Sequence, residues 1–280
     1  MDGSRPAGVM PLRPLTFGEL LDAAVSLLRT NAKVFLGSAL VLAAIEQAAL
    51  YPVRRLAAVN PPYYLPYADR LGSYWLMFAF GMATEAGILA LLGGLTATAA
   101  GPELLGQHLR GREMLRRVAP RLPSMLLLAV VAGSLAGIAA LAALLPWFFV
   151  YGLVGLVVPA LVVDRVGPAR ALGRGFALGS RAGLRATWLR VGGYLSWLAI
   201  RLAMGFGSVA VLRLVLPTSE GWITVISVLA WLVVDTIAYA TLACFDAVLY
   251  LETRMRTEGL DIAVGRTIRL GRSVDLAVER

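Results

Sequence analysis

The 280-residue sequence predicts an all-α membrane protein, with six transmembrane helices and amphipathic interfacial helices arranged as three helix-plus-hairpin units. Three observations carry that expectation. From Leu122 to Val163 the chain runs 42 residues without a charged side chain. At ~1.5 Å per residue such a helix would reach roughly 63 Å, about twice the ~30 Å hydrocarbon core of a bilayer, so the run must cross twice. Composition agrees, since 59% of residues are hydrophobic and 15% charged, against roughly 25% charged in soluble domains. Finally, the Arg residues fall in short segments between apolar runs, which is the signature of membrane topology and argues against a nucleic-acid partner.

The first element is an interfacial helix. Thr16 with Glu19 three residues on reads as a capping box, and Pro14 lies just outside it. At ~100° per residue, Glu19, Asp22, Ser26 and Arg29 share one side, while Phe17, Leu20, Leu21, Ala24, Leu27 and Leu28 fill the other. Met1 to Arg13 is polar and Pro-rich and lacks the basic-then-apolar pattern of a signal peptide, so insertion is expected to rely on the first span. The spans predicted in order are Val34 to Val53, Tyr74 to Ala100, Pro123 to Leu145, Trp147 to Val163, Val191 to Leu212 and Trp222 to Leu251. Pro146 marks the expected turn inside the long apolar run, because proline removes a backbone donor. Pro168 to Thr187 repeats the interfacial theme: Arg170, Arg174, Arg181 and Arg185 share a face, with Leu172 and Phe176 pointing away. Arg112 to Ala119 is a shorter version. The whole reads as a single membrane domain, with residues 1–33 forming the N-terminal interfacial segment, 34–251 the six-span bundle and 252–280 a cytoplasmic tail.

Orientation follows from the basic residues. Segments 1–33, 101–122, 164–190 and 252–280 hold 21 of the 26 Lys and Arg. Basic residues near span ends are retained on the cytoplasmic side, so both termini are expected there. The opposite loop, Arg54 to Ser73, carries Asn60, Pro61, Pro62, Tyr63, Tyr64, Pro66 and Tyr67, and its tyrosines fit an aromatic belt. The Arg face at 170–185 is expected to set topology and meet lipid head groups, or to dock a partner or anionic lipid.

Ionisable residues within spans are the strongest pointers to a site. Glu46, Glu85, Arg201 and Asp235 each lie near mid-span, where a charge costs ~2.5 to 3.5 kcal/mol on insertion scales. Arg201 and Asp235 are at matching depths on neighbouring spans and are expected to pair. Glu46 and Glu85 have no basic residue at their depth, leaving a shared proton, hydrogen bonds to Gln47 or Thr84, or an aqueous cavity. Such groups either clamp helices together or line a polar cavity. Asp164 and Asp246 are placed at the cytoplasmic boundary. Gly87, Gly93, Gly94, the Gly133 and Gly137 pair, Gly205 and Gly207 are expected to permit close helix approach. Gly173, Gly175, Gly179 and Ser180 are not a phosphate loop, for they follow no strand. With one His (His108) and one Cys (Cys244), no disulfide, His-based metal site or hydrolytic triad is expected. No cofactor is implied.

Three segments resemble a bacterial integral-membrane family, the glycerophosphoryl diester phosphodiesterase membrane domain: Arg13-Pro-Leu-Thr-Phe-Gly-Glu-Leu-Leu-Asp22, Gly167-Pro-Ala-Arg-Ala-Leu-Gly-Arg-Gly-Phe176 with Trp188, and Tyr250-Leu-Glu-Thr-Arg-Met-Arg-Thr-Glu-Gly-Leu-Asp261. The catalytic barrel that gives the family its name, with its acidic and His ligands, has no counterpart in these residues, so the resemblance implies no enzyme activity. It implies a stand-alone six-span bundle in a bacterial cytoplasmic membrane. The functional expectation is a non-enzymatic multi-pass protein that binds or scaffolds an envelope lipid or membrane partner, with membrane lipids and a partner protein or a second copy as its company. The alternative is a transporter or channel whose path is lined by Glu46, Glu85, Arg201 and Asp235. A membrane-embedded enzyme would have to draw on Asp164, Asp246 and Glu252.

Overall fold

A computed structural model describes residues 11–59, 64, 67–215, 220–270 and 274–277. The elements are α1 (Phe17–Thr30), α2 (Ala32–Leu56), α3 (Leu71–Leu104), α4 (Gly111–Val118), α5 (Leu122–Ala142), α6 (Leu144–Val154), α7 (Val157–Val163), α8 (Pro168–Val215), α9 (Glu220–Glu258) and α10 (Leu260–Arg269). No strand occurs among the described residues. Six segments are long and apolar enough to span a membrane: Ala32–Leu56, Ala68–Leu104, Gly111–Ala142, Leu144–Val163, Gly183–Val211 and Gly221–Glu258. This is a multi-pass, all-α membrane protein.

The N-terminus of α1 forms as its residues dictate. Thr16 caps the helix and Glu19 reaches back to its amide, completing the capping box. Leu20, Ala23, Ala24 and Leu27 are buried, and α1 packs along the terminal half of α9, with Phe17 edge-on to Phe245 at 6.1 Å. Asn31 breaks the helix before α2 and is tied down, its amide donating to Glu103 Oε1 at 2.6 Å.

At the centre stands α3, packed against α2, α5, α7 and α9. Its contact with α5 is the closest, and small residues cause it. A Cβ on Gly133 would sit 2.7 Å from the Ala83 carbonyl oxygen, and one on Gly137 would sit 2.9 Å from the Ala83 Cβ. Helix backbones approach that closely only where side chains are absent.

Two breaks differ from the sequence expectation. The turn in the long apolar run falls at Ala143, whose backbone is fully extended, and Pro146 lies in the first turn of α6. Proline fits there because the first-turn N–H groups have no helical partner. The fourth span is itself in two pieces, α6 and α7, joined through Gly155 and Leu156. The second difference is in α8, where Gly183 and Leu184 both have positive φ (67° and 64°). The Thr187 hydroxyl consequently reaches the Gly179 carbonyl at 3.0 Å, although eight residues of straight helix rise ~12 Å. A sharp corner therefore separates an N-terminal arm from the span, and Arg185 lies beyond it. The single-helix wheel that placed Arg185 on one face with Arg170, Arg174 and Arg181 does not apply. Within the segment expected as a cytoplasmic tail, α9 continues to Glu258 and α10 spans Leu260–Arg269 after Gly259, whose φ of 65° makes the turn.

Candidate functional site

Two consecutive helix pairs far apart in sequence, α2 with α3 and α8 with α9, bring Glu46, Glu85, Arg201 and Asp235 into one hydrogen-bonded group. Arg201, from α8, donates Nη1 to Glu85 Oε1 at 2.6 Å and Nη2 to Asp235 Oδ1 at 2.8 Å. Gln47 Nε2 completes Asp235 through Oδ2 at 3.2 Å, and the Tyr194 hydroxyl donates to Glu85 Oε2 at 3.4 Å. The expected pairing of Arg201 with Asp235 is present. Glu85, expected to lack a basic partner, has one in Arg201, because α3 packs against α9 and α8 lies along the same helix. Glu46 is different: it receives only hydroxyls, Thr84 at 2.6 Å and Tyr239 at 2.6 Å. Thr84 also lies 2.9 Å from the Gly81 carbonyl, so its single proton has two claimants.

These residues line a cavity of about 370 Å³. Its deep end holds the charged group. Toward the α2–α3 connection it is bounded by Arg54, Tyr64 and Tyr74, and its side walls include Phe78, Phe206 and Trp231. Gly205 admits the Trp231 ring, since a Cβ there would come within 2.6 Å of it. Gly207 has open space around it and makes no such contact. Tyr64, assigned from sequence to an aromatic belt, turns inward, edge-on to Trp231 at 6.0 Å and under the Arg54 guanidinium at 5.1 Å. Asn60, Pro61, Pro62, Tyr63 and Pro66 lie outside the described residues, whereas Tyr67 is exposed. The buried Tyr64 hydroxyl and Trp231 Nε1 have no hydrogen-bond partner among the described residues.

Sequence reasoning passed over Arg54, Tyr194, Trp231 and Tyr239, and it expected Gln47 to bond a glutamate, whereas Gln47 bonds Asp235 and Arg54. Tyr194, Trp231 and Tyr239 fall in apolar runs, where aromatic side chains are read as packing. For Arg54 a signal existed, since it lies about two turns from Glu46 on α2.

Asp164 and Asp246, which the sequence places near the cytoplasmic ends of their spans, are buried and paired. Asp246 takes a bidentate contact from Arg190, with Nε at 2.7 Å and Nη2 at 2.9 Å. Arg190 Nη1 also donates to the Tyr151 carbonyl, a group near the end of α6 that the break before α7 leaves available. Asp164 accepts from Tyr250 at 2.5 Å, Arg254 at 2.8 Å and Arg174. The arginine face of α8 thus turns onto α9. Arg174 and Arg181 reach Glu258 at 2.7 and 3.2 Å, and Arg185 reaches Glu252 at 2.9 Å. Arg170 alone of the four makes no ion pair among the described residues, and it lines a basic cleft with Arg165 and Arg181. No group of three or more His, Cys, Asp or Glu able to hold a metal occurs among the described residues.

No protein-family model, curated protein or solved structure matches the chain.

Proposed function

We propose that this multi-pass membrane protein is a non-enzymatic binding protein whose functional site is the cavity enclosed by α2, α3, α8 and α9. It holds a small polar or amphiphilic ligand, a solute or the head group of an envelope lipid, at membrane depth. The observation that carries the reading is the convergence of Glu46, Glu85, Arg201 and Asp235 on one cavity. A purely structural set of clamps has no reason to share an opening with unpaired polar groups, whereas ligand sites in membrane bundles gather ionisable residues around a void. Binding through the α8 arginine face, or scaffolding of a partner or second copy there, is less favoured, because Arg174, Arg181 and Arg185 are already matched by acids.

The deciding experiment identifies species that stay bound to gently extracted protein, by native mass spectrometry, in wild type and in the Arg201→Gln/Asp235→Asn variant. Loss of a bound species in a variant that still unfolds cooperatively supports the cavity; equal retention in both places the ligand elsewhere. Transport is the second reading, favoured by the polar group lying mid-span with an opening toward one end. Uptake into proteoliposomes tests it once a ligand is known.

The same proposal places both termini on the cytoplasmic side of a bacterial inner membrane, as the basic-residue distribution and the resemblance to the phosphodiesterase-associated membrane family suggest. Labelling of a cysteine introduced at Asp275, in a Cys244→Ala background, by an impermeant thiol reagent added to intact cells would contradict that orientation.

A further inference from the structure

The cavity holds an acidic and a basic side chain, one at each end, that make no ion pair among the described residues. At the deep end, Glu46 receives hydroxyls alone, and the nearby guanidinium of Arg201 is committed to Glu85 and Asp235. At the mouth, Arg54 has no carboxylate partner among the described residues. Its Nη1 donates to the neutral Gln47 side chain at 2.7 Å, and its guanidinium lies against the Tyr64 ring. Beside it are two more donors without acceptors, the Tyr64 hydroxyl and Trp231 Nε1, the latter able only to donate. Residues 46 and 54 are eight apart on α2, a backbone rise of ~12 Å that the Arg54 side chain shortens by reaching back to Gln47, and both side chains line the same void.

Resting on the reading of this cavity as the functional site, we infer that its ligand is a zwitterion, with an ammonium group directed at Glu46 and an anionic group directed at Arg54, Tyr64 and Trp231. The deep end can accept hydrogen bonds and balance a positive charge; the mouth offers donors and a positive charge. A neutral apolar ligand would leave both ends unmatched in a low-dielectric site, where an unpaired polar group costs most. The apolar side walls at Phe78 and Phe206 suit a short hydrocarbon segment between the charged ends.

The test uses the full chain in detergent and calorimetric titration with aminobutyrate, aminohexanoate and aminooctanoate, each with its amine at the far end, alongside hexylamine and hexanoate. Aminohexanoate or aminooctanoate is expected to bind best, and hexylamine and hexanoate at least about tenfold more weakly than aminohexanoate. Glu46→Gln weakens the amino acids and hexylamine but not hexanoate; Arg54→Gln, a change at the cavity mouth, weakens the amino acids and hexanoate but not hexylamine. The chain-length preference is read in the wild type and needs no variant to fold. Repeating the titration in nanodiscs separates two sources of the same chemistry. Competition by phosphatidylethanolamine, absent with phosphatidylglycerol, points to a lipid head group, and equal binding in both points to a soluble zwitterion. If hexylamine binds as tightly as aminohexanoate, the zwitterion assignment fails while the cavity stands as a cation site. If no probe binds, the assignment also fails; the cavity itself survives only if a copurifying species is lost in the Arg201→Gln/Asp235→Asn variant.

Discussion

Replacing Arg190 with Met removes a charge from the interior while keeping most of the side-chain volume, and the consequence can be worked from its contacts. Arg190 is 2% exposed, bonds both oxygens of Asp246 at 2.7 and 2.9 Å, and lies 3.7 Å from the centre of the Tyr151 ring. Gly155 leaves the space that its guanidinium fills. With the guanidinium gone, Asp246 is buried without a counter-charge, a loss of ~3 to 5 kcal/mol for one partner of a buried pair. Asp246→Asn strands the guanidinium and is expected to cost a similar amount. Arg190→Met combined with Asp246→Leu removes both charges, and only the Tyr151 carbonyl then loses a donor, worth ~1 kcal/mol. The double variant should therefore be within about 2 kcal/mol of wild type, far less destabilised than the two single changes added together. Unfolding in micelles of rising dodecyl sulfate fraction, followed by far-ultraviolet circular dichroism, measures all four proteins. Single variants that each cost under about 1 kcal/mol, or a double variant whose cost equals their sum, would refute the argument.

Other positions yield sharper local tests. Gly133→Ala places a methyl 2.7 Å from the Ala83 carbonyl oxygen and should destabilise by ~1 to 3 kcal/mol. Gly207→Ala, with open space around it, should cost nothing, and equal effects at the two sites would mean that α3 and α5 do not pack as described. Leu184→Gly relieves a left-handed residue at the α8 corner and should stabilise by ~1 kcal/mol, which a lowered unfolding midpoint would contradict. Glu19 offers a pH test. Its bond from Arg13, and then those from the Thr16 amide and hydroxyl, hold its pKa down from 4.5 to about 2. A lowered folded-state pKa contributes stability that is fully present above the unfolded value near 4.5 and is lost as pH falls through about 2. The melting difference between wild type and Glu19→Gln should accordingly be constant between neutral pH and about 5, then shrink across that acid window; a difference that persists at the acid limit would show that the carboxylate charge does not matter.

The sequence by itself determined the class of this protein and the start of its first helix. Apolar length compels spans, since a backbone in hydrocarbon must satisfy its own hydrogen bonds, and Thr16 with Glu19 marks the start of α1 by local chemistry that needs no distant partner. It also singled out Glu46, Glu85, Arg201 and Asp235, because a charge at mid-span is costly wherever the helices go. What it could not supply were relations between helices. The Arg201 bond to Glu85, the burial of Asp246 against Arg190 and the inward turn of the α8 arginines all depend on which helix stands beside which, and the hydrophobic pattern along one helix does not encode its neighbour. The α8 corner escaped for a similar reason: Leu184 has no intrinsic preference for a left-handed backbone, and only the packing of both arms holds it there. Tertiary structure alone decided that one cavity would collect the charged residues, and that Glu46 and Arg54 would stand at its two ends without an ion-pair partner among the described residues.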